Sequence, residues 1–389
     1  MTSRWSRPAA LVLLVLLALL AGCGDPEPPP QPGHLVIIGG GLQPDNAEIY
    51  TRLVSLTGDS GHWAVLPTAS GAPETVGPRT VDRLAAQGAD ARLIDLRAGE
   101  FEKASDPKIV ADIAAARGLF FTGGSQTRIV ELFRPEAGDT PAYQAMRRLL
   151  SEGGVVAGTS AGAAMMSNPM IERGDASLAL SRGRTFGPDR AAEDGVSIGR
   201  GMGFFPYGMT DQHFLSRGRL GRLIIALEET RFDRGYGIAD DRAIHVDLGS
   251  ARIEALGGPA ALLLLDASEV RASGGARRGF RIDLLGSGDV VDGLSGRVTP
   301  ARGKVPAGRP PGNLEQLPPA EDAWDAHVIE QLMLLLAQQP ARTASALDAY
   351  YELVFEEDER TQYWLAPDGD AASLTVIGLR LDLIPRRSQ

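Results

Sequence analysis

Short apolar runs alternate with amphipathic stretches through the first 160 residues. His34-Leu-Val-Ile-Ile-Gly39 is a continuous apolar run closed by glycines, the pattern of a strand buried on both faces. The spacing over 46–57 predicts a helix. Further strands are predicted at 62–66, 91–96, 118–121 and 154–158, with helices near 76–88, 107–117, 125–134 and 140–152 between them. Strands joined by helical crossovers predict an α/β fold, a mostly parallel sheet flanked by helices. After a helix at 217–229, the stretch 236–284 carries shorter alternating runs such as Ala243-Ile-His-Val-Asp-Leu248, which predict an antiparallel extension. Residues 299–320 are rich in proline and glycine and read as a linker or long loop. Helices near 321–338 and 343–356 and a strand at 373–384 then predict a largely helical C-terminal add-on over 321–389.

The N-terminus reads as an address. Arg4 and Arg7 precede an apolar run from Ala9 to Ala21. That run is shorter than the roughly 20 residues a spanning helix needs, but it suits a signal-peptide core. It ends in Leu20-Ala21-Gly22-Cys23, which resembles a bacterial lipobox. Residues 1–22 are expected to be a lipoprotein signal peptide, Cys23 the lipidated residue, and 23–33 a stiff Pro-rich tether. The main domain, 34–298, is then expected outside the cytoplasm, lipid-anchored to a bacterial membrane on the periplasmic side or at the cell surface.

Composition removes several function classes. Acidic residues number 49 against 39 basic, a net charge of -10, which argues against general nucleic-acid binding and its broad basic footprint. A single cysteine excludes disulfide frameworks, zinc ribbons and iron–sulfur clusters within one chain. No H-E-x-x-H and no clustered His/Asp set points to a metal, the glycines at 39–41 do not complete G-x-G-x-x-G, and no P-loop lysine is present. Neither a metal nor another cofactor is expected.

The chemistry concentrates after the fifth predicted strand. Gly158-Thr159-Ser160-Ala161-Gly162 fits G-x-S-x-G, follows a strand and opens a short helical run, the context of a nucleophile elbow. Ser160 is the candidate nucleophile, and the amide of Ala161 at the helix start favours a developing oxyanion. A hydroxyl needs a base, and only five histidines exist. His34 and His62 begin buried strands, His245 lies in an alternating strand and His327 on the tail helix. His213, in Asp211-Gln212-His213-Phe214, sits among polar groups at a strand end and is the candidate base. Asp240 and Asp241, at the end of Gly235-Tyr-Gly-Ile-Ala239, are the candidate acids, with Asp211 less well placed. The order Ser, His, acid differs from the Ser, acid, His order of α/β-hydrolases. Arg217, Arg219 and Arg222 follow the histidine and favour an anionic substrate.

Taken together, IIGGG (37–41), LPTAS (66–70), FFTGGSQ (120–126), GTSAGA (158–163), DQHFLSRGRLGRL (211–223) and GYGIADDRAI (235–244) resemble the cyanophycinases, a branch of the dipeptidase E-like serine peptidases. The resemblance implies a class I glutamine amidotransferase-like α/β fold with serine as nucleophile. It implies an exopeptidase that releases β-Asp-Arg dipeptides from cyanophycin, a poly-aspartate carrying arginine on its side chains. Under it, Ser160, His213 and Asp240 are catalytic, with Asp241 an alternative acid. The amides of Gly124 and Ala161 form the oxyanion hole, and Gln126, Asp211, Gln212, Arg217, Arg219 and Arg222 line the substrate pocket. A homodimer is also implied. Three departures stand out. The family's I-D-E block reads Ile238-Ala239-Asp240, Ser125 stands where the family's G-G-x-Q usually has an acidic or amide residue, and the loop 172–200 and the tail after 299 exceed a minimal member. Two other readings fit the sequence: a peptidase for α-aspartyl or other acidic peptides, and a non-catalytic peptide-binding lipoprotein with a degenerate triad.

Overall fold

The five apolar runs form the parallel half of the central sheet: β1 (His34–Ile38), β2 (His62–Leu66), β3 (Asp90–Leu93), β4 (Gly118–Phe121) and β5 (Val155–Thr159). The computed structural model describes residues 33–58, 61–185, 195–230, 232–308, 310–312 and 314–386. The expected signal peptide, Cys23 and nearly all of the tether lie outside these residues, as does 186–194 of the long loop. Strand order across the parallel half is β1-β5-β4-β2-β3. Along β1, Leu35 and Ile37 enter one apolar cluster and Val36 and Ile38 another, so both faces are covered. This is why the strand reads as an unbroken apolar run rather than an alternating one.

Three of the crossover helices start at a side-chain cap, supplied by Asn46, Asp106 and Thr140. Ala47–Thr57 is capped by Asn46, whose side chain accepts from the Ile49 amide. Pro141–Ser151 is capped by Thr140 and opens with Pro141, and it buries Ala142, Tyr143, Ala145, Met146, Leu149 and Leu150 along one stripe. On the other side of β1 the sheet turns antiparallel through Ala243–Asp247, Arg252–Leu256, Val290–Asp292 and Val298–Thr299. This is the expected antiparallel extension.

A second, mostly antiparallel sheet carries most of the remaining strands, and Met170–Gly174, Val196–Gly199 and Arg184–Thr185 form a small third sheet. The order of the second sheet is Leu314–Gln316, Ala341–Leu347, Tyr351–Glu356, Thr375–Pro385, Ala276–Leu285, Leu262–Asp266, Arg234–Ile238, Met209–Asp211. The last two strands are parallel, with Gly237 opposite Asp211. The chain therefore leaves both at the same level, one toward His213 and the other toward Asp240.

The tail differs from its expected form. One helix, Val328–Gln338, forms as expected, but the predicted helix at 343–356 is the hairpin Ala341–Leu347 and Tyr351–Glu356. Ala344, Ala346, Leu353 and Phe355 are fully buried in the core beneath this sheet. Strand pairing with Thr375–Pro385 thus overrides the helical propensity of the Ala- and Glu-rich sequence. The tail is not a helical add-on, since Thr375–Pro385 pairs along Ala276–Leu285 in the middle of the sheet. The Pro-rich stretch 299–320 is pinned as well. Lys304 Nζ lies 2.9 Å from both oxygens of the buried Asp289, which also accepts from Thr375 Oγ1 at 2.6 Å.

Candidate active site

Glycines bring Ser160 to the end of β5. A Cβ on Gly158 would lie 2.3 Å from the Gly162 carbonyl oxygen, and one on Gly162 would lie 2.7 Å from that of Phe121. Neither contact is tolerable, so both small positions of G-x-S-x-G are sterically required. Ser160 has φ 55° and ψ -108°, a conformation side chains avoid unless the surroundings impose it. Its carbonyl accepts the amides of Ala163 and Ala164, which starts the short helix Ala161–Ala164.

His213, also at positive φ (47°), places Nε2 2.9 Å from Ser160 Oγ. Its Nδ1 hydrogen-bonds Asp240 Oδ1, and the other oxygen of that carboxylate accepts from Ser216 Oγ. A carboxylate only accepts, so Nδ1 carries the proton and Nε2 is left to accept from the serine hydroxyl. Burial raises the Asp240 pKa, but the bonds from His213 and Ser216 outweigh it and hold the carboxyl below its ordinary value. Asp241 points elsewhere. Its Oδ1 accepts from the Gln43 amide at 2.9 Å and Asn46 Nδ2 at 3.0 Å, fixing the loop before the first helix.

One turn seats all three segments. The Ile38 carbonyl accepts the Ser160 amide (3.0 Å), the Gly39 carbonyl the His213 amide (2.8 Å) and the Gly40 carbonyl the Asp241 amide (2.7 Å). The imidazole lies directly against Gly40, where a Cβ would be 2.1 Å from His213 Cε1. On the opposite side, a Cβ on Gly124 (φ 143°) would be 1.9 Å from the Ala69 carbonyl oxygen. Gly124 and Ser160 share one cavity wall, and Ala161 follows at the helix start.

That cavity, about 400 Å³, is lined by Gln126, Gln212, Arg217, Arg219 and Arg222 together with Glu172 and Asp175. The polar side chains are not equally free. Arg217 is exposed and makes no hydrogen bond or ion pair among the described residues. Arg219 Nη1 donates to the Gln212 carbonyl at 2.5 Å, and burial lowers its pKa to about 10 although Asp211 opposes the shift. Gln126 is buried and spends both amide hydrogens on the Ile171 and Glu172 carbonyls. Asp211 does not line the cavity, contrary to the sequence expectation. Its carboxylate, 1% exposed, is gripped by Arg222 through Nε (2.8 Å to Oδ2) and Nη2, which leaves it unavailable to a ligand. A second cavity of about 420 Å³ adjoins Ser160 on the His213 side.

Three supporting elements were not legible in the sequence. They are Ser216, the Gly40 seat and the tail. Trp324 and His327 back the arginine segment. The His327 amide donates to the Leu215 carbonyl at 3.0 Å, and a Cβ on Gly218 would lie 2.2 Å from the Trp324 carbonyl oxygen. Trp324 Nε1 and Ser177 Oγ both donate to Asp348 Oδ2, at 2.8 and 2.5 Å, which ties this support to the helix after Asp175.

Among curated proteins, the cyanophycinase of Nostoc sp. is 33% identical over 210 residues, covering 53% of this chain and 65% of that protein. The cyanophycinase of Geminocystis herdmanii is 34% identical over 180 residues, 46% of this chain and 60% of that protein. The match thus spans less than two thirds of the length of these relatives. A crystal structure of a peptidase from an acI-B1 Actinobacterium covers 69% of this chain and 95% of its own, at 18% identity and a TM-score of 0.47. The model of peptidase family S51 matches residues 35–254, the span that contains Ser160, His213, Asp240 and the arginine segment. The chain belongs to peptidase family S51.

Proposed function

We propose that this protein is a serine exopeptidase that cleaves aspartyl peptides, with cyanophycin as substrate and β-Asp-Arg as product. The observation that carries this reading is the hydrogen-bonded series Ser160–His213–Asp240 at the wall of an arginine-lined cavity. His213 Nε2 takes the proton of Ser160 Oγ as the oxygen adds to the scissile carbonyl. The amides of Gly124 and Ala161 receive the charge that develops on the carbonyl oxygen. Asp240 holds the ring in the required tautomer and stabilises the imidazolium. The imidazolium then protonates the departing amine, and a water activated by the same nitrogen releases the acyl group. Asp240 is one methylene shorter than the glutamate of related sequences. Its hydrogen bonds to His213 and Ser216 favour its serving as the acid.

In the substrate cavity Arg217 supplies an unpaired cation for an aspartyl carboxylate, and Arg219 adds positive potential behind it. Glu172 and Asp175 provide the acidic character a substrate arginine needs. The test is to incubate residues 24–389 with cyanophycin and identify products by mass spectrometry beside Ser160→Ala. Release of β-Asp-Arg by the wild type alone supports the reading, and no release by a folded protein overturns it. We also propose export and lipid anchoring through Cys23. No helix among the described residues is long and apolar enough to cross a membrane. A Cys23→Ser chain that still partitions with membranes and carries the same acyl mass would refute the anchor.

A further inference from the structure

The two cavities that meet at Ser160 contain different halves of the machinery. The arginine-lined cavity includes Ser160 and Gly124 but not His213, whereas the second includes Ser160 and His213 but not Gly124. In acyl transfer the departing amine takes its proton from the imidazole, so it must lie within hydrogen-bond reach of His213 Nε2. The acyl portion lies with the oxyanion donors. The second cavity is therefore where the leaving group goes. Its volume, about 420 Å³, falls within the roughly 300–1,000 Å³ of small-ligand sites.

The chemistry of its lining is one-sided. Leu42, Leu84 and Phe120 supply apolar wall, Tyr50 and Thr80 supply hydroxyls, and no acidic side chain lines it among the described residues. Apart from His213, its one ionisable cation is Arg83, on the helix Pro73–Ala86. Arg83 is exposed and makes no hydrogen bond or ion pair among the described residues. Its charge is felt inside the cavity. Burial raises the Tyr50 hydroxyl pKa, and the Arg83 cation opposes that rise. The one carboxylate that acts on Tyr50, Asp241, is not among the lining residues and is held by the Gln43 amide and Asn46, so the unpaired Arg83 guanidinium is suited to receive a ligand carboxylate through charge-assisted and bidentate bonds.

We propose that this cavity is the leaving-group subsite and that Arg83 binds the terminal main-chain carboxylate of the departing unit, which selects chain ends over internal bonds. The inference rests on the serine-peptidase reading above. A short acidic leaving unit presents its terminal carboxylate to Arg83 while its amine receives the proton from His213. An internal bond would place an uncharged amide there instead.

The test uses residues 24–389 and a matched pair of substrates, the (β-Asp-Arg) dimer with a free main-chain carboxylate and its amide. The free-acid to amide ratio of kcat/KM is expected to be roughly tenfold to a hundredfold in the wild type, the scale of one charge-assisted bond. In Arg83→Gln the ratio is expected to fall toward one, and Arg83→Lys to recover part of it. An unchanged ratio in Arg83→Gln overturns the proposal. A second arm is independent of turnover. Calorimetry of β-Asp-Arg binding to Ser160→Ala, with and without Arg83→Gln, should show at least tenfold weaker binding in the double variant. Equal binding overturns the subsite. Arg83-dependent binding without any wild-type turnover upholds the subsite while overturning the peptidase reading.

Discussion

Replacing Gly40 by alanine tests the seat of the imidazole without changing any catalytic side chain. The added Cβ would lie 2.1 Å from His213 Cε1 and 2.4 Å from Nε2. Carbon–carbon contact begins at about 3.5 Å, so the ring must retreat by roughly 1.4 Å. The Ser160 Oγ to His213 Nε2 distance, now 2.9 Å, would then leave the hydrogen-bonding range, which closes near 3.2 Å. General-base assistance is worth about 10²- to 10⁴-fold, and kcat is expected to fall by that factor. KM should change little, because the arginine-lined cavity is untouched. Gly40 also has φ 127°, which adds a stability cost of about 1–3 kcal/mol for a residue with a side chain. Gly41→Ala is the graded control. Its Cβ would lie 3.2 Å from Asp240 Oδ1 at φ 59°, so a smaller loss is expected. The assay is steady-state release of β-Asp-Arg, with circular dichroism and thermal melting to confirm folding. A folded Gly40→Ala protein with kcat within tenfold of wild type would refute the argument, since His213 would not be resting where its function requires.

Asp240→Asn keeps the shape of the acid but removes its charge and favours the wrong tautomer. A loss of about 10⁴-fold in kcat is expected, and full turnover would remove Asp240 from the mechanism. Gly218→Ala places a Cβ 2.2 Å from the Trp324 carbonyl oxygen. It should displace the segment bearing Arg217 and Arg219 and raise KM more than it lowers kcat, and the reverse pattern would disprove that role for the tail. Asp283 is buried and accepts from the Gly378 amide, and burial pushes its pKa up to about 7 from 3.8. The folded state therefore holds a proton the unfolded state has lost, and the stability present below pH 3.8 is lost as pH rises toward 7. Asp283→Asn should match wild type near pH 4 and exceed it by up to about 4 kcal/mol at pH 8, from ~1.4 kcal/mol per pKa unit. A wild-type-to-variant difference that is flat with pH in urea titrations would contradict this.

The parallel core was legible because four of its five strands are short apolar runs next to glycine or proline, and burial on both faces leaves that trace; the edge strand Asp90–Leu93 is mostly exposed and carries it only weakly. The elbow was legible because its glycines fall in one short motif: Gly158 is demanded by Gly162 within that motif, although Gly162 itself is demanded by Phe121 on the neighbouring strand. His213 could be singled out because so few histidines compete. The tail was misread because Ala341–Leu347 and Tyr351–Glu356 owe their strand form to Thr375–Pro385, a partner distant in sequence whose pull no local propensity records. Asp211 was placed in the substrate pocket because its motif neighbours are there. What redirects it is Arg222, eleven residues on, which locks it behind the wall. Ser216 gave no signal, because a lone serine near a histidine is common and its partner lies on another strand.

The three consecutive carbonyls of Ile38, Gly39 and Gly40 have a consequence for how this architecture can vary. In machining terms they are a single datum. The nucleophile, base and acid segments are all dimensioned from one edge, and the base and acid strands are in addition paired with each other. The C-terminal strands that extend the second sheet are fitted around that edge without entering the spacing of the reacting atoms. Family diversification can therefore proceed at the periphery while the spacing between serine, imidazole and carboxylate is inherited from one turn.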